Sequence, residues 1–306
     1  MAEHGIVYFR GDFRPQEEAK ISVKAKGLNY GLGCFEGIRA YWNKKTERLY
    51  IFRALDHYRR FHRSLRMLNM VPPMSPEEMV EVTVELLRRN NVREGSYIRP
   101  LAFMGSDALS PTIVEEDNEF AIYTLPLNDY LDTSTGVSAC VASWTRISDN
   151  MIPVSAKPTA AYLNSALARM EAKNAGCDEA IFLNRQGFVS EGSAEHIFIL
   201  REGEVITPAS SDDNLEGITR ETLSKLVRKE LGLNVVARHV RRSELYAAEE
   251  AFFCGTGAEV TPIVKIDGRV LGDGRPGPVT VKLQKLYFSV VHGEIEKYLK
   301  WCLPVD

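Results

Sequence analysis

The sequence has 306 residues, of which 44% are hydrophobic and 26% are charged, and this is enough apolar material for two globular domains. A formal net charge of −3 gives no support for a nucleic acid or an acidic membrane surface as a partner. No apolar run approaches the roughly 20 residues of a membrane span, and five scattered cysteines form neither a CxxC nor a zinc spacing. These features predict a cytoplasmic protein with reduced thiols and no metal site.

The first third of the chain predicts strands mixed with helices. IVYF and the segment around Ile21–Val23 flank a Gly-Asp pair at 11 and 12, which is a hairpin signal. GIRAYWNKKTERLYIF predicts two strands about a polar turn, and residues 55–70 have helical spacing of their apolar side chains. A capping box with proline at the first helical position begins at Ser75 and opens a helix that is expected to end near Asn90.

Two further strands, YIRPLAFM and EFAIYTL, flank a polar segment that contains GSDALSP, and such a segment is typical of a functional or mobile loop. The polar stretch PLNDYLDTSTG then predicts a boundary. We therefore expect a small N-terminal α/β domain at 1–126, an interdomain loop at 127–136 and a large C-terminal α+β domain at 137–306.

Beyond this boundary, VSACVASW predicts a buried strand and residues 160–175 predict a helix that ends at Gly176. Short strands follow, then a helix that opens near Gly217, further strands and a final helix over about 279–298. Strands outnumber helices and do not alternate strictly with them, which argues against a Rossmann or TIM architecture. The pattern predicts an α+β fold of two domains with a cleft at the boundary.

Lys157 lies in SAKPTAAYLNS, among small and apolar residues just before a predicted helix. A lysine before a helix is ordinarily a solvated charge. A lysine in a low-dielectric neighbourhood loses its charge more easily, however, and can then act as a nucleophile that forms a Schiff base. By itself, Glu191 in the turn of SEGSAEHIF gives no indication of a function beyond that of an ordinary turn residue.

Two turns with small residues have the chemistry of phosphate sites. Gly217 precedes Ile218 and Thr219 at a helix start, where free amides and a hydroxyl could bind an anion, although an ordinary glycine cap explains the pattern equally well. GTGAE at 255–259 is a second such turn, with the Thr256 hydroxyl as a donor. With a lysine and an acid, these turns suggest a phosphorylated carbonyl cofactor.

Eight motifs in order resemble the fold-type IV pyridoxal-phosphate enzymes, and among them the branched-chain amino acid aminotransferases. The motifs are NYGLGCFEGIRAY, HYRRFHRSL, YIRPL, SWTR, AKPTAAYL, SEGSAEHIF, GITRETL and GTGAEVTP. The resemblance covers nearly the whole chain. It implies a two-domain fold like that of D-amino acid aminotransferase, with the active site between the domains and pyridoxal 5′-phosphate as the cofactor.

The resemblance also implies a role for each matching residue. Lys157 would be the catalytic Schiff-base lysine, Tyr162 would donate to the cofactor's phenolic oxygen, and Glu191 would face the pyridine nitrogen. The phosphate would be bound by four residues, namely Arg60, Ile218, Thr219 and Thr256. The substrate would contact Tyr30, Phe35, Gly37, Arg39, Tyr97, Arg99, Tyr130, Thr256 and Gly257.

The implied activity is ping-pong transamination of leucine, isoleucine or valine with 2-oxoglutarate and glutamate. Two departures from the family pattern make the substrate assignment less specific. The glutamate turn commonly reads EGxGEN in the family, whereas in this chain it ends with His196. Many members have a tryptophan at the position where this chain has Leu127. Alternatives within the fold are a transaminase for D-amino acids or (R)-amines and an aminodeoxychorismate-type lyase. Tyr97 and Arg99 together favour the branched-chain activity. The resemblance further implies a homodimer at minimum.

Overall fold

The computed structural model describes residues 5–127 and 131–305. The chain divides into two compact units, one made of Met1–Asn128, Ala156–Ala160 and Ser289–Asp306, and the other of Asp129–Ser155 and Ala161–Phe288. Each unit combines helices with a sheet of its own, which confirms the predicted α+β class. The predicted domain limits and the interdomain loop at 127–136 stay predictions.

The α-helices, in chain order, are α1 (Lys26–Tyr30), α2 (Ala54–Met67), α3 (Pro76–Arg89), α4 (Tyr162–Asn174), α5 (Ile218–Leu226), α6 (Arg242–Tyr246) and α7 (Pro278–Val291). The strands are β1 (Ile6–Phe9), β2 (Asp12–Pro15), β3 (Gly33–Phe35), β4 (Ile38–Asn43), β5 (Arg48–Phe52), β6 (Ser96–Met104), β7 (Asn118–Pro126), β8 (Val137–Thr145), β9 (Glu179–Leu183), β10 (Val189–Gly192), β11 (His196–Arg201), β12 (Glu204–Thr207), β13 (Asn234–Ala237), β14 (Glu250–Gly255), β15 (Glu259–Ile266), β16 (Arg269–Val270) and β17 (Cys302–Val305). No helix in the described part of the chain is long and apolar enough to cross a membrane.

The sheet of the first unit has the order β17-β5-β4-β6-β7-β1-β2, with β3 paired to β6. Strand β6 alternates in burial: Ile98 and Ala102 are fully buried, whereas Tyr97 and Arg99 are half-buried on the other face. Helix α2 packs its apolar stripe into the core cluster that contains Ile98. The two faces of β6 therefore separate the core of this unit from side chains with predicted substrate contacts.

Helix α3 begins as the capping box predicts. The Ser75 backbone N–H donates to Glu78 Oε2 at 2.7 Å, and the Glu78 N–H donates to Ser75 Oγ at 3.2 Å. These reciprocal bonds satisfy two of the donors that a helix start leaves without partners. Proline at the first helical position loses no hydrogen bond there, so the local sequence alone determines where α3 begins.

The sheet of the second unit has the order β10-β9-β8-β15-β14-β11-β12-β13, with β16 paired to β15. Its central strands are apolar on both faces, and the stacked rings of Phe198 and Phe252 lie 5.0 Å apart between centroids across β11 and β14. Helix α4 covers β8 and β9 through Ala168 and Ala172. The predicted cofactor residues of this unit lie on β10, at the starts of α4 and α5 and in the turn after β14.

Two predicted elements differ from the structure. The partner of β1 in the hairpin is β2, directly after the Gly11 turn, and the segment around Ile21–Val23 is not a strand. Strand β2 has exposed ends and a half-buried Phe13, so its backbone pairing with β1 and not an alternating burial pattern defines it. The final helix, predicted to reach about residue 298, ends at Val291 because Gly293 adopts a left-handed φ of +70° that terminates the helix.

Candidate active site

Lys157 lies in a short segment that pairs with β3 in the first unit. The Phe35 N–H donates to the Lys157 carbonyl at 3.1 Å, Pro158 forms an isolated bridge with Cys34, and Thr159 Oγ1 donates to the Gly31 carbonyl at 2.7 Å. The side chain of Lys157 is half-buried, and its Nζ lies 5.2 Å from the centroid of the Phe35 ring. The predicted nucleophile is thus held by its backbone beside an aromatic wall.

Four predicted substrate residues lie together near this wall. Arg99 stacks its guanidinium 4.2 Å from the centroid of the Phe35 ring and donates from Nη2 to the Tyr97 hydroxyl at 2.9 Å. Gly37 is required because a Cβ there would overlap that hydroxyl. The result is an apolar surface with one fixed guanidinium, which suits a carboxylate ligand with a hydrophobic stem.

Arg39 and Tyr30 occupy other places in the first unit. Arg39 on β4 is buried, stacks over Tyr41 at 5.2 Å and donates to the Leu127 carbonyl at 3.4 Å. Tyr30 ends α1, and its hydroxyl donates to the Leu109 carbonyl at 2.8 Å within the GSDALSP segment. Tyr130, the remaining predicted substrate residue of this group, lies outside the described residues.

Arg60 on α2 is held by a buried carboxylate. Its Nε and Nη2 donate to Glu36 at 2.6 and 2.8 Å, and His57 Nδ1 lies 2.9 Å from the same carboxylate. Burial opposes ionisation of Glu36, but Arg60 and His57 outweigh it and hold the pKa of this carboxyl below its ordinary value. Burial lowers the pKa of His57, against the opposite effect of Glu36. The plane of the Arg60 guanidinium is therefore fixed.

Glu191 on β10 is the corresponding buried carboxylate of the second unit. Arg146 Nη2 lies 2.8 Å from Glu191 Oε1, and the Leu215 N–H donates to Oε2 at 3.3 Å. His196 Nδ1 is 3.7 Å from Oε2, which is too long for a hydrogen bond. Nε and Nη1 of Arg146 have no hydrogen-bond acceptor among the residues that the structure describes. The Glu191 carboxylate is thus held by one guanidinium and one backbone amide, and the residue is only 6% exposed.

Helix α5 begins at Ile218, with Gly217 as its N-cap in an extended conformation. Ile218 and Thr219 are buried in the first turn, where backbone N–H groups point away from the helix and the dipole is positive. Arg220 fixes the helix against the end of β12, since its Nε donates to Thr207 Oγ1 at 3.1 Å and its Nη2 to the Pro208 carbonyl at 2.5 Å. This helix start has the donor set that a phosphate group needs.

The other predicted residues of the second unit lie at ends of elements. Tyr162 is the first residue of α4 and is half-buried. Thr256 and Gly257 are half-buried in the turn between β14 and β15, and Thr261 closes that turn by donating to the Ala258 carbonyl at 2.6 Å. Loop positions of this kind can present amides and hydroxyls to a ligand.

The predicted site residues are distributed over both units. Lys157, Arg60 and the substrate residues of β3, β4 and β6 belong to the first unit, whereas Tyr162, Glu191, Ile218, Thr219, Thr256 and Gly257 belong to the second. Their assignments to cofactor and substrate stay predictions. Within the described ranges no cluster of three or more His, Cys, Asp or Glu residues could hold a metal ion.

Sequence reasoning assigned no role to Glu36, His57 or Arg146, which hold Arg60 and Glu191 in place. Glu36 stands inside FEGIR and Arg146 ends SWTR, so both lie within motifs that carry the resemblance. Neither residue carries a local signal of this supporting role, because each pairs with a residue that is distant in the sequence.

Comparison with known proteins gives consistent matches. The family described as "Amino-transferase class IV" matches residues 33–266. The chain is 49% identical over 300 residues to a probable branched-chain-amino-acid aminotransferase of Aquifex aeolicus, covering 98% of this chain and 96% of that protein.

Solved structures agree with the sequence match. A branched-chain aminotransferase of Thermoproteus uzoniensis, solved with norvaline, superposes with a TM-score of 0.94 at 46% identity, covering 98% of this chain and 99% of the other. The branched-chain amino acid aminotransferase of T.th., complexed with N-(5′-phosphopyridoxyl)-L-glutamate, gives a TM-score of 0.93 at 40% identity, and the alignment covers 100% of both chains. These similarities confirm the fold that the resemblance implied.

Proposed function

The chain belongs to the class IV aminotransferase family, and we propose that it is a pyridoxal-phosphate-dependent transaminase that exchanges amino groups between branched-chain L-amino acids and 2-oxoglutarate. The proposed order is ping-pong. Leucine, isoleucine or valine first transfers its amino group to the enzyme and departs as a keto acid. The 2-oxoglutarate then takes up this amino group and departs as glutamate. The observation that carries this proposal is the cluster of Phe35, Tyr97 and Arg99 beside Lys157.

The residues present fit the phosphate end of the cofactor. The first turn of α5 offers amides at the positive end of a helix, and Thr219 adds a hydroxyl. Arg60 would add a charge-assisted contact through a guanidinium whose plane Glu36 fixes. Thr256, in the turn after β14, would complete this set.

Glu191 fits the other end of the cofactor. When bound, a pyridoxal phosphate with a protonated ring nitrogen withdraws electrons from the substrate Cα and so makes its proton acidic. A carboxylate beside that nitrogen favours the protonated ring, and each unit of raised pKa corresponds to about 1.4 kcal/mol. Tyr162 would donate to the phenolic oxygen. Arg146 keeps the Glu191 carboxylate oriented by the 2.8 Å contact with Oε1.

Lys157 would move the proton. Its amine, released when the substrate binds, is proposed to take the proton from the substrate Cα as general base and to return a proton as general acid. The half-buried side chain lies beside Phe35, with Nζ 5.2 Å from the ring centroid, so the amine is held on one side by an aromatic wall.

We propose that the apolar and charged side chains near Lys157 allow the site to accept two different kinds of substrate. A branched chain would contact Phe35 and Tyr97, while the second carboxylate of glutamate would pair with Arg99 or Arg39. One relative was solved with norvaline, an amino acid with an apolar side chain, and another with a phosphopyridoxyl-L-glutamate adduct, which supports this division. Tyr30, Gly37, Gly257 and Tyr130 are proposed as further contacts.

The half-reactions test the substrate class. Purified protein loaded with pyridoxal phosphate is mixed with L-leucine, L-glutamate, D-alanine or (R)-1-phenylethylamine, and the loss of the visible cofactor band is followed. We expect leucine and glutamate to react fastest. Faster reaction with D-alanine or with the amine would replace this function with the broadened-range transaminase, and release of pyruvate from aminodeoxychorismate would indicate the lyase.

The catalytic lysine has a separate test. Borohydride reduction of the yellow protein should attach the cofactor covalently to the peptide that contains Lys157. Lys157→Ala should lower the rate of the leucine half-reaction by about a thousandfold or more, within the range of general acid–base catalysis. Lys173, near the end of α4, gives a matched Lys173→Ala control that should keep the wild-type rate. A fully active Lys157→Ala variant would refute the mechanism.

We further propose that the protein is a cytoplasmic homodimer. A groove of ≈ 460 Å³ lies on the sheet face of the first unit away from α2 and α3, lined by Val7, Phe9, Leu101, Phe103, Tyr123 and Leu125 among others. Leu125 is 48% exposed, and an apolar sheet face of this kind is typical of surfaces that another chain covers. All five cysteines are free thiols, which supports a reducing compartment. Sedimentation of wild type and Leu125→Glu tests the dimer, since the variant should dissociate.

A further inference from the structure

The imidazole of His196 contacts two parts of the second unit that the proposed function assigns to opposite ends of the cofactor. Its Nδ1 lies 3.7 Å from Oε2 of Glu191, the residue proposed to face the pyridine nitrogen. Its Nε2 and Cδ2 lie so close to Gly217 that a Cβ on that residue would overlap them. Gly217 is the N-cap of α5, the helix proposed to bind the phosphate.

The backbone of Gly217 does not itself require glycine. Its φ of −74° and ψ of 127° are ordinary extended values that alanine adopts without strain. The three atoms nearest to an added Cβ all belong to His196. The imidazole is therefore what restricts position 217 to glycine, and the start of α5 lies directly against that ring.

His196 itself is firmly placed. It begins β11 and pairs with Cys254 on β14 in a regular antiparallel register, and its side chain is only 8% exposed. The Leu215 N–H donates at 3.3 Å to the same Glu191 oxygen that faces the imidazole. One carboxylate oxygen thus lies between the ring of His196 and the turn that leads into α5.

We propose that His196 is a positioning residue that sets the spacing between the Glu191 carboxylate and the first turn of α5. The ring acts as a rigid spacer whose polar edge faces Glu191 and whose opposite edge packs on Gly217. Because a bound cofactor would need both groups at a fixed separation, a change in the spacer alters cofactor affinity more than it alters the fold. The inference rests on the proposed function, but the contact between His196 and Gly217 does not.

A double-mutant cycle tests the spacer. We compare wild type, Gly217→Ala, His196→Asn and the double variant for the dissociation constant of pyridoxal phosphate and for melting temperature with and without the cofactor. Gly217→Ala should weaken cofactor binding by about tenfold or more, because the new methyl group displaces the ring or the helix start. In the His196→Asn background the same change should cost less than about threefold, since the shorter side chain leaves room for the methyl group.

The control glycine is Gly5, where an added Cβ would meet no atom within 4 Å. Gly5→Ala should have the same small effect with either residue at position 196. The variant His196→Leu tests whether His196 acts by packing alone, because leucine has a similar volume but no polar atoms. This variant keeps the spacing but should shift the pH midpoint of the visible cofactor band, because it removes the polar edge that faces Glu191, whereas His196→Asn should weaken cofactor binding because it shortens the spacer.

The outcomes are distinct. Rescue of Gly217→Ala by His196→Asn supports the spacer, and rescue of soluble expression counts if Gly217→Ala alone does not fold. Equal damage in both backgrounds, or identical cofactor bands in wild type and His196→Leu, overturns it. Should wild type bind no pyridoxal phosphate, the proposed function fails, yet the melting temperatures without cofactor still decide whether His196 and Gly217 are coupled.

Discussion

Each unit contains a buried carboxylate with an arginine and a histidine beside it, and the two clusters differ in how completely they are paired. In the first, Glu36 receives two hydrogen bonds from Arg60 and lies within hydrogen-bond distance of His57, with no exposed surface. In the second, Glu191 receives one contact from Arg146 and one from a backbone amide, while His196 stays 3.7 Å away.

The difference corresponds to opposite proposed roles. Glu36 is a support that orients Arg60, so both of its oxygens are engaged by donors within the unit. Glu191 is the proposed ligand-facing group, and its looser pairing leaves lone-pair directions for a donor such as a ring N–H. Similar residue types can therefore support a site or form it, and the number of internal partners distinguishes the two.

Removal of the Glu36 carboxylate should give the largest loss of stability. Glu36→Ala leaves the Arg60 charge buried without its partner, and we expect unfolding in urea near neutral pH to become easier by about 3–5 kcal/mol. Because the pKa of Glu36 is below its ordinary value in the folded protein, its contribution is present above the unfolded pKa and is lost as the pH falls through the folded value. The variant should lose less stability on acidification than wild type.

Removal of Arg146 should cost less. Arg146→Met breaks the 2.8 Å pair with Glu191, but the Leu215 N–H still donates to that carboxylate. Two donors of Arg146 lack acceptors in the described residues, so part of its burial cost disappears with the side chain. We expect a loss of about 1–3 kcal/mol in urea unfolding. A loss as large as that of Glu36→Ala would contradict the distinction between the clusters.

Glu195 lies in the turn that leads from β10 into β11. We expect it to make the stability of the second unit depend on pH. Burial and the nearby charge of Glu179 raise the pKa of Glu195 to about 8. A raised carboxyl pKa gives stability that is complete below the unfolded pKa and is lost as the pH rises through the folded value. Glu195→Gln should remove much of this loss of stability between about pH 5 and about pH 9. Unchanged pH dependence of unfolding would contradict it.

The smallest effect is expected at an exposed pair of the same chemistry. Arg89 Nε lies 2.7 Å from Glu85 on the surface of α3, with both side chains more than a third exposed. Glu85→Gln should change the urea midpoint by less than about 0.5 kcal/mol of stability. This variant calibrates the two buried clusters, because it removes the same type of contact without uncovering a buried charge.

Much of the fold was predictable because local signals determine it. The capping box at Ser75 marks a helix start through hydrogen bonds between near neighbours in the chain. Strand β2 is missed by the sequence pattern because its four residues, DFRP, show no alternation of apolar and polar side chains, and only its pairing with β1 makes it a strand. The end of α7 depends on Gly293, whose left-handed conformation the apolar pattern does not reveal.

The residues of the candidate site fall into the same two groups, those that a local sequence pattern marks and those that depend on contacts in the folded chain. Lys157, Glu191 and the α5 start carry local patterns, and the resemblance gave them roles. The supports Glu36 and Arg146 could not be inferred, because each acts on a residue far away in sequence that only the sheet and helix packing bring close. In the sequence, His196 is only a departure from the family pattern, since its contact with Gly217 exists only in the folded chain.

The most direct test of the account compares Glu36→Gln with Glu191→Gln in two measurements, the dissociation constant of pyridoxal phosphate and the leucine half-reaction rate at saturating cofactor. We predict that Glu191→Gln slows the half-reaction by about a hundredfold or more while cofactor affinity changes by less than about tenfold. Glu36→Gln should show the reverse, weaker cofactor binding with a half-reaction rate near wild type. The same pattern in both variants, or the opposite assignment, would contradict the distinction between supporting and ligand-facing carboxylates.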